Sequence, residues 1–278
     1  MNKKHLAVTI VMLSCVLMVA LSSCNLITTD KDRFYVDEDN RLKMIDIEKT
    51  GPDIVVPEKV GDKVIYRISL SSSYFSKINS IDISNVSGLE FFKLNLFEDS
   101  SCSKLKRLDF RKNKKLRHVT VNKTKALEEI AFNEDCKSIG LYNTSVKELD
   151  LKSMKKLEYF DYSNGPLESI DLFNNTNLKQ VWIDNANIKT VDIKKLKKLR
   201  NAIFYGVPLE ELDISNNPNL VTVRTYNTNV KVLDVSNNLK LKRIEVDEGT
   251  EIIGETNAEI KYWTKEDIER WEENRKDN

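Results

Sequence analysis

The chain has 278 residues, with 44 Lys and Arg against 43 Asp and Glu, so its formal net charge is +1 at pH 7. Basic and acidic residues are interleaved along the whole length. This excludes the concentrated basic stripe with which proteins displace counterions from nucleic acid, and we expect no nucleic-acid partner.

The first 24 residues have the organisation of an export signal. Lys3 and Lys4 give a basic start, residues 6–20 are apolar, and residues 21–24 read Leu-Ser-Ser-Cys. The apolar run is shorter than the roughly 20 residues that an ordinary membrane-spanning helix needs. The segment resembles bacterial lipoprotein signals. The resemblance implies that residues 1–23 are removed and that Cys24 carries acyl chains, which anchor the chain in the cell envelope, on the outer membrane or cell surface, facing away from the cytoplasm.

Two segments precede the regular part of the chain. Residues 24–50 are polar and without a period, so we expect a lipidated tether. Residues 51–77 alternate apolar and polar around the turn signal Gly61-Asp62, which predicts an N-terminal hairpin cap. A cap is needed because an open strand edge would recruit other chains.

A repeat of 21 residues dominates the remainder of the chain. Its clearest markers are Leu149-Asp150, Ile170-Asp171, Val191-Asp192, Leu212-Asp213 and Leu233-Asp234. Each unit holds two apolar, alternating segments joined by polar bends, and such a turn cannot bury its inward face alone. Successive turns must therefore stack, with parallel strands about 4.8 Å apart. Residues 78–255 are expected to form about eight turns of this length.

The repeat resembles the leucine-rich-repeat signature L-x-x-L-x-L-x-x-N. The matching positions are Leu209, Leu212, Ile214 and Asn217 in one copy and Val230, Leu233, Val235 and Asn238 in the next. The resemblance covers about residues 78–250 and is closest to bacterial cell-surface proteins, including the internalin-like ones. It implies a right-handed, β-rich solenoid of the α/β class, with a protein or glycan partner in adhesion, sensing or assembly. Met154 and Leu196 stand where the signature has Asn, so the asparagine column is interrupted.

Residues 256–278 are expected to close the far end with a strand and a helix. Thr264 and Asp267 have the spacing of a capping box, which predicts a helix running towards Lys276. Trp263 and Trp271 would lie on its buried side and pack on the last coil.

Residues for catalysis are scarce. After residue 23 the only histidine is His118, and no spacing typical of a zinc site, an activated nucleophile or a phosphate-binding glycine loop occurs. We therefore expect no enzyme, no cofactor and no metal, with a carboxylate-dependent hydrolase as the weakest alternative. Cys102 and Cys136 fall at different phases of the repeat, which favours two free thiols over a disulfide without deciding between them.

An aspartate follows the central apolar residue in most turns. This aspartate column consists of Asp82, Asp109, Asp150, Asp171, Asp192, Asp213 and Asp234. Like charges stacked about 5 Å apart repel, so the column needs lysine screening, hydrogen bonds or bound cations. We favour the first two, because a straight row offers each ion too few converging oxygens.

Each repeat has a second strand, the one without the aspartate, and its outward positions predict a binding surface. They include Tyr159, Trp182, Ile203, Tyr205, Arg224 and Tyr226. Aromatic residues and arginine are the side chains that dominate binding energy in interfaces. Two alternatives remain: the rings cover one another along the sheet, or they lie under the C-terminal segment. This pattern favours a binding module, and a structural envelope lipoprotein without an external ligand is the alternative.

Overall fold

The computed structural model describes residues 33–71, 77–96 and 104–276. The export signal, Cys24 and Cys102 therefore lie outside the described residues. Within them the strands are, in chain order, β1 (Phe34–Val36), β2 (Arg41–Ile45), β3 (Asp53–Val55), β4 (Lys59–Val60), β5 (Lys63–Val64), β6 (Arg67–Ser71), β7 (Ser80–Asp82), β8 (Phe91–Asn95), β9 (Arg107–Asp109), β10 (His118–Asn122), β11 (Glu129–Ala131), β12 (Ser138–Tyr142), β13 (Tyr159–Ser163), β14 (Gln180–Asp184), β15 (Asn201–Tyr205), β16 (Thr222–Thr225), β17 (Val232–Asp234), β18 (Arg243–Asp247), β19 (Glu251–Ile253) and β20 (Glu259–Trp263). The helices are α1 (Ile47–Thr50) and α2 (Lys265–Lys276).

One long sheet organises the molecule. Within the described residues its twelve strands follow the order β1-β2-β6-β8-β10-β12-β13-β14-β15-β16-β18-β20. All of its pairs are parallel except β1 with β2. Neighbouring strands lie one coil apart, so Tyr159, Gln180, Asn201 and Thr222 are register partners in turn. The chain is a β-solenoid of about eight turns of about 21 residues with one C-terminal helix, as the period predicts.

Strand alternation builds the core. In the long sheet from β6 to β18 the second and fourth residues of the strands point inward, as Phe160 and Tyr162 do in β13 and Val181 and Ile183 do in β14, and all four are fully buried. These side chains join one continuous cluster along the coils. Burial of each such side chain contributes about 1.5–3 kcal/mol, which offsets backbone entropy coil by coil.

The opposite side of the coils is less regular than the repeat predicts. Parallel pairs form there between β3 and β7, β9 and β11, and β17 and β19. In the central coils Leu149, Ile170 and Val191 pack against the core without belonging to a strand. The segment of each repeat that carries the aspartate is thus a hydrogen-bonded strand only towards the two ends of the described array.

The N-terminal end differs from the sequence expectation. Residues 33–50, assigned to the tether, form the antiparallel hairpin β1–β2 and helix α1. The segment is ordered because Phe34 and Leu42 are buried against the first coil. In the described part of the segment predicted as a hairpin cap, residues 51–71, β3 and β6 belong to the parallel coils, and β4 and β5 make a hairpin around Gly61.

Asparagines at the bends join some coils to their predecessors. The Nδ2 of Asn175 donates to the carbonyls of Leu151 and Met154, both at 2.9 Å. Asn217 does the same with Ile193 at 2.9 Å and Leu196 at 3.0 Å. Because the acceptors are backbone oxygens, the coil on the receiving side does not need an asparagine. This explains why Met154 and Leu196 can interrupt the column.

A second column of bends follows the long sheet. Asn143, Asn164 and Asn185 have φ of 53°, 54° and 47°, and Gly206 has 56° at the equivalent position. Asparagine tolerates this left-handed region better than other residues with a Cβ. The Nδ2 of Asn185 also donates to Oδ1 of Asn164 at 2.9 Å. The bends therefore keep consecutive strands in the same register.

Candidate functional site

The outer face of the long sheet is formed by the first, third and fifth residues of its strands. Third residues make one continuous column, in which Gly140, Asp161, Trp182, Ile203 and Arg224 are register partners in succession. Three of the six residues predicted for binding, Trp182, Ile203 and Arg224, are therefore neighbours on adjacent strands. The repeat alone was sufficient to bring them together.

Tyr205 and Tyr226 are not available on this face. They retain only 2% and 5% exposure, because helix α2 lies over them. The ring centroids of Tyr226 and Trp263 are 4.5 Å apart and nearly parallel, and Tyr205 meets Trp271 edge-on at 4.5 Å. The expectation that both tyrosines are exposed is wrong. Both alternatives drawn from the sequence are observed for this pair: the C-terminal segment covers the two rings, and their centroids lie 4.8 Å apart along the sheet.

Helix α2 is held in place by polar contacts as well. The Tyr205 hydroxyl donates to Oε1 of Glu272 at 2.7 Å, and burial raises the pKa of Tyr205 above its ordinary value. At the start of the helix the Asp267 N–H donates to Thr264 Oγ1 at 3.1 Å, and the Thr264 N–H donates back to Asp267 Oδ2 at 3.2 Å. The predicted capping box and helix are confirmed.

Arg224 is engaged within the protein. Its Nε lies 3.2 Å from Oε1 of Glu245, which is also 3.5 Å from Nε of Arg243. The indole of Trp263 donates to the other oxygen of Glu245 at 3.2 Å. Because this carboxylate is nearly buried and paired, Arg224 is fixed along the sheet and is a weaker anchor for a partner than an unpaired arginine would be.

Two of the six residues predicted for binding keep exposed aromatic side chains. Trp182 is 39% and Tyr159 40% exposed, on neighbouring strands of the long sheet. Ile203, the next residue in the column of third positions, is only 8% exposed and forms the edge of the patch. We define the Trp182 patch as Tyr142, Tyr159, Asp161, Gln180 and Trp182.

The sequence patterns did not single out Asp161, nor the two residues that donate to it, Gln180 and Tyr142. Asp161 accepts hydrogen bonds from Nε2 of Gln180 at 2.7 Å and from the Tyr142 hydroxyl at 3.3 Å. Burial raises its pKa, while both of these hydrogen bonds act in the opposite direction. Among the described residues no Lys or Arg forms an ion pair with it. An acid at a third strand position, one coil before Trp182, was the signal available in the sequence.

Gly140, the register partner of Asp161, leaves space for the Tyr142 ring. A Cβ at this position would lie 2.8 Å from Cε2 of Tyr142, closer than real atoms approach. The missing side chain lets the Tyr142 ring fold over the strand and direct its hydroxyl at Asp161. Trp182 and Tyr142 therefore lie on opposite sides of one carboxylate.

The aspartate column has a structural role. Each member accepts a hydrogen bond from the backbone N–H two residues further on, at 2.8–3.1 Å. Lys194 also forms an ion pair with Asp213 of the next coil at 3.2 Å. These are the hydrogen bonds and lysine contacts expected from the sequence. Within the described parts of the chain, no group of three or more His, Cys, Asp or Glu is placed to hold a metal ion.

The remaining chemical candidates lie apart from the Trp182 patch. His118 is exposed on β10, where its ring lies 6.3 Å from that of Phe91. Cys136 is a free, buried thiol, and burial raises its pKa to about 11, so it stays protonated near neutral pH. None of the helices in the described ranges is long and apolar enough to span a membrane.

Comparison with solved structures identifies the fold. The functional domain of InlJ from Listeria monocytogenes, which includes a cysteine ladder, superposes with a TM-score of 0.53 at 17% identity and covers 77% of this chain. The match spans 54% of that domain, so the chain corresponds to about half of its length. A leucine-rich-repeat protein from Leptospira interrogans matches at a TM-score of 0.43 and 11% identity, over 80% of this chain and 85% of the other.

No protein-family model matches the chain, and neither does any curated protein sequence. The structural likeness shows the fold alone, since the identities are low. The chain has the β-solenoid of bacterial leucine-rich-repeat proteins, the class that its repeat resembles.

Proposed function

We propose that the chain is a protein-binding module and that the Trp182 patch is its contact surface. The exposure of Trp182 and Tyr159 on adjacent strands, next to the buried Ile203 and the ion-paired Arg224, carries the proposal. Solvated surfaces rarely leave a tryptophan and a tyrosine side by side without a use, and such side chains dominate the energy of interfaces. A partner would bury apolar area that this chain leaves in water.

The scaffold beneath the patch supports the same role. Tyr159 and Trp182 extend from central strands, whose neighbours on both sides are in register. Strand residues of this kind lose little conformational freedom on binding, so more of the contact energy appears as affinity. Stacked repeats also provide the extended surfaces that solenoid proteins use for recognition.

Site-specific photo-crosslinking tests the proposal. A photoreactive phenylalanine analogue replaces Trp182 in one variant and Phe173 in the control, because Phe173 is 51% exposed but lies on a bend away from the outer face. Irradiation of cells that carry the full chain should give a covalent adduct with one protein from position 182 and not from position 173. Equal adducts from both positions, or adducts with glycan only, would contradict a protein-binding patch.

We propose further that Cys24 holds this module on the outside of a bacterial membrane. The proposal is supported by the arrangement of residues 1–24, a basic start, an apolar run and Leu-Ser-Ser-Cys. Labelled palmitate should enter the wild-type chain and not the Cys24→Ala variant. If the labelled chain resists protease added to intact cells, the display of the module to outside partners is wrong and the structural envelope role takes its place.

A further inference from the structure

We propose that the Trp182 patch receives a cationic side chain, arginine or lysine, from the protein partner, with Asp161 as its counter-ion and Trp182 as the ring against which it lies. This rests on the proposed function and names the chemistry of the partner at its centre. Three observations support it: the charge balance at Asp161, the rings beside it, and the composition of the surrounding sheet.

The charge of Asp161 is not balanced within the chain. Other carboxylates of the neighbouring bends have lysine partners: Glu158 meets Nζ of Lys179 at 2.6 Å, and Asp135 meets Nζ of Lys156 at 2.6 Å. Asp161 has only the neutral donors of Gln180 and Tyr142. A half-buried carboxylate that lacks a cation loses hydration without full compensation, and an incoming cation restores the balance.

The rings beside the carboxylate suit a cation of this kind. Trp182 is the register partner of Asp161 on the next strand, about 4.8 Å away. On the other side Tyr142 lies over Gly140, and its hydroxyl is within hydrogen-bond distance of Asp161. A guanidinium or ammonium group that meets a carboxylate while lying on an aromatic face gains both the ionic and the cation–π interaction.

This part of the sheet has no basic residue of its own at an outward position. In the four described strands β12 to β15 the outward residues are Ser138, Gly140, Tyr142, Tyr159, Asp161, Ser163, Gln180, Trp182, Asp184, Asn201, Ile203 and Tyr205. They include two carboxylates and neither Lys nor Arg. Lys179, immediately before β14, is already paired with Glu158. Asp161 and Asp184 are therefore the charged groups at the outward positions of these strands, and the half-buried Asp161 carboxylate favours a basic side chain of the partner.

Binding of a defined basic peptide tests the inference. The probe is a peptide of four Arg-Gly units, titrated into the full mature chain, with the same peptide carrying Gln for Arg as the neutral comparison. The indole N–H resonance of Trp182, assigned with Trp182→Phe, reports the site. We expect the basic peptide to shift it, and we expect Asp161→Asn to weaken this binding about tenfold, since one ionic contact is worth roughly that factor.

The matched control removes a negative charge elsewhere. Glu168 is exposed in the same coil, outside the long sheet and next to Leu167, and Glu168→Gln should leave the titration unchanged. Equal binding by Asp161→Asn, equal binding of the neutral peptide, or shifts at Trp263 and Trp271 in place of Trp182 would each overturn the inference. A photo-crosslinked protein at position 182 that is insensitive to Asp161→Asn would reject the cation site and leave the protein-binding module standing.

Discussion

The pKa values of Asp161 and Asp213 are shifted in opposite directions because the surroundings of the two carboxylates differ. Asp213 lies at an exposed bend, where hydrogen bonds from Ser215 and the ion pair with Lys194 lower its pKa. Asp161 is half-buried on the sheet, where desolvation raises its pKa despite two neutral donors. Aspartate therefore has two roles. In the aspartate column it stabilises a bend by accepting backbone hydrogen bonds, and in the Trp182 patch it is a poorly compensated charge.

The two residues should respond oppositely to neutralisation. A lowered pKa means that ionised Asp213 stabilises the fold above its unfolded pKa, and that this stabilisation is lost as the pH falls through the folded value. A raised pKa means that Asp161 favours folding when protonated, and that this contribution is lost as the pH rises through the folded value. Near neutral pH, Asp161→Asn should raise the thermal unfolding midpoint and Asp213→Asn should lower it slightly, since that site is well solvated.

Calorimetry of both variants at neutral pH and at about pH 3 checks the signs, because protonation of the wild-type carboxylates should shrink both differences. A lower midpoint for Asp161→Asn near neutral pH would show that its charge is compensated in the fold. Stability gained together with binding lost is the behaviour expected of a residue kept for a partner.

At the scale of the element, the asparagines bind coils together unevenly. Asn175 joins its coil to that of Met154, and Asn217 joins its coil to that of Leu196. No equivalent amide reaches from position 196 to the coil of Asn175, because Leu196 has none. The array is thus reinforced at every second junction in this region, and the junctions without asparagine rely on apolar packing and the long sheet.

Removing one asparagine tests this reinforcement. Asn175→Ala loses two buried hydrogen bonds and leaves a small void, so we expect the unfolding free energy to fall by about 2 kcal/mol. In Asn175→Leu the unfolding free energy should fall by roughly half as much, because the natural Leu196 shows that an apolar side chain fits the equivalent position. Denaturant unfolding measures both, and an unchanged unfolding free energy in Asn175→Ala would contradict the reinforcement by asparagine.

The C-terminal helix is a second element with a measurable role. Trp271 covers Tyr205 and Tyr226 on the outer face. Trp271→Ala should lower the unfolding free energy by about 2 kcal/mol and weaken the near-ultraviolet dichroism of the ring cluster. Trp182→Ala is the matched control: the loss should be smaller, because that side chain is 39% exposed, whereas Trp271 packs against Tyr205 and Tyr226. Equal losses would mean that helix α2 contributes little to the fold.

Sequence patterns predicted some elements and missed others for physical reasons. A strict period places equivalent residues in one column, so the adjacency of Trp182, Ile203 and Arg224 could be derived. Helix α2 could be derived from its capping box, but its position over Tyr205 depends on tertiary packing that no period encodes. The hairpin β1–β2 was missed because its strands are short and lie before the repeat, although Phe34 and Leu42 alternate with polar residues.

The whole molecule is a stack in which each coil contacts mainly its neighbours. Its outer face varies along the stack. Arg67, Lys93 and His118 are exposed on strands before β12, and Arg243 and Lys261 are exposed on β18 and β20. Asp161 and Trp182 lie between these two regions, and helix α2 covers the far end.

Disulfide trapping of register partners tests the stack most directly. Asn201 and Thr222 face each other on adjacent strands, and Arg243 lies one strand further. The pair Asn201→Cys with Thr222→Cys should form a bond under mild oxidation, identified by peptide mapping, because adjacent strands lie about 4.8 Å apart. Asn201→Cys with Arg243→Cys should not, at about twice that separation. Equal bonding in both pairs, or bonding only in the second, would contradict a solenoid in which each turn of 21 residues places one strand beside the last.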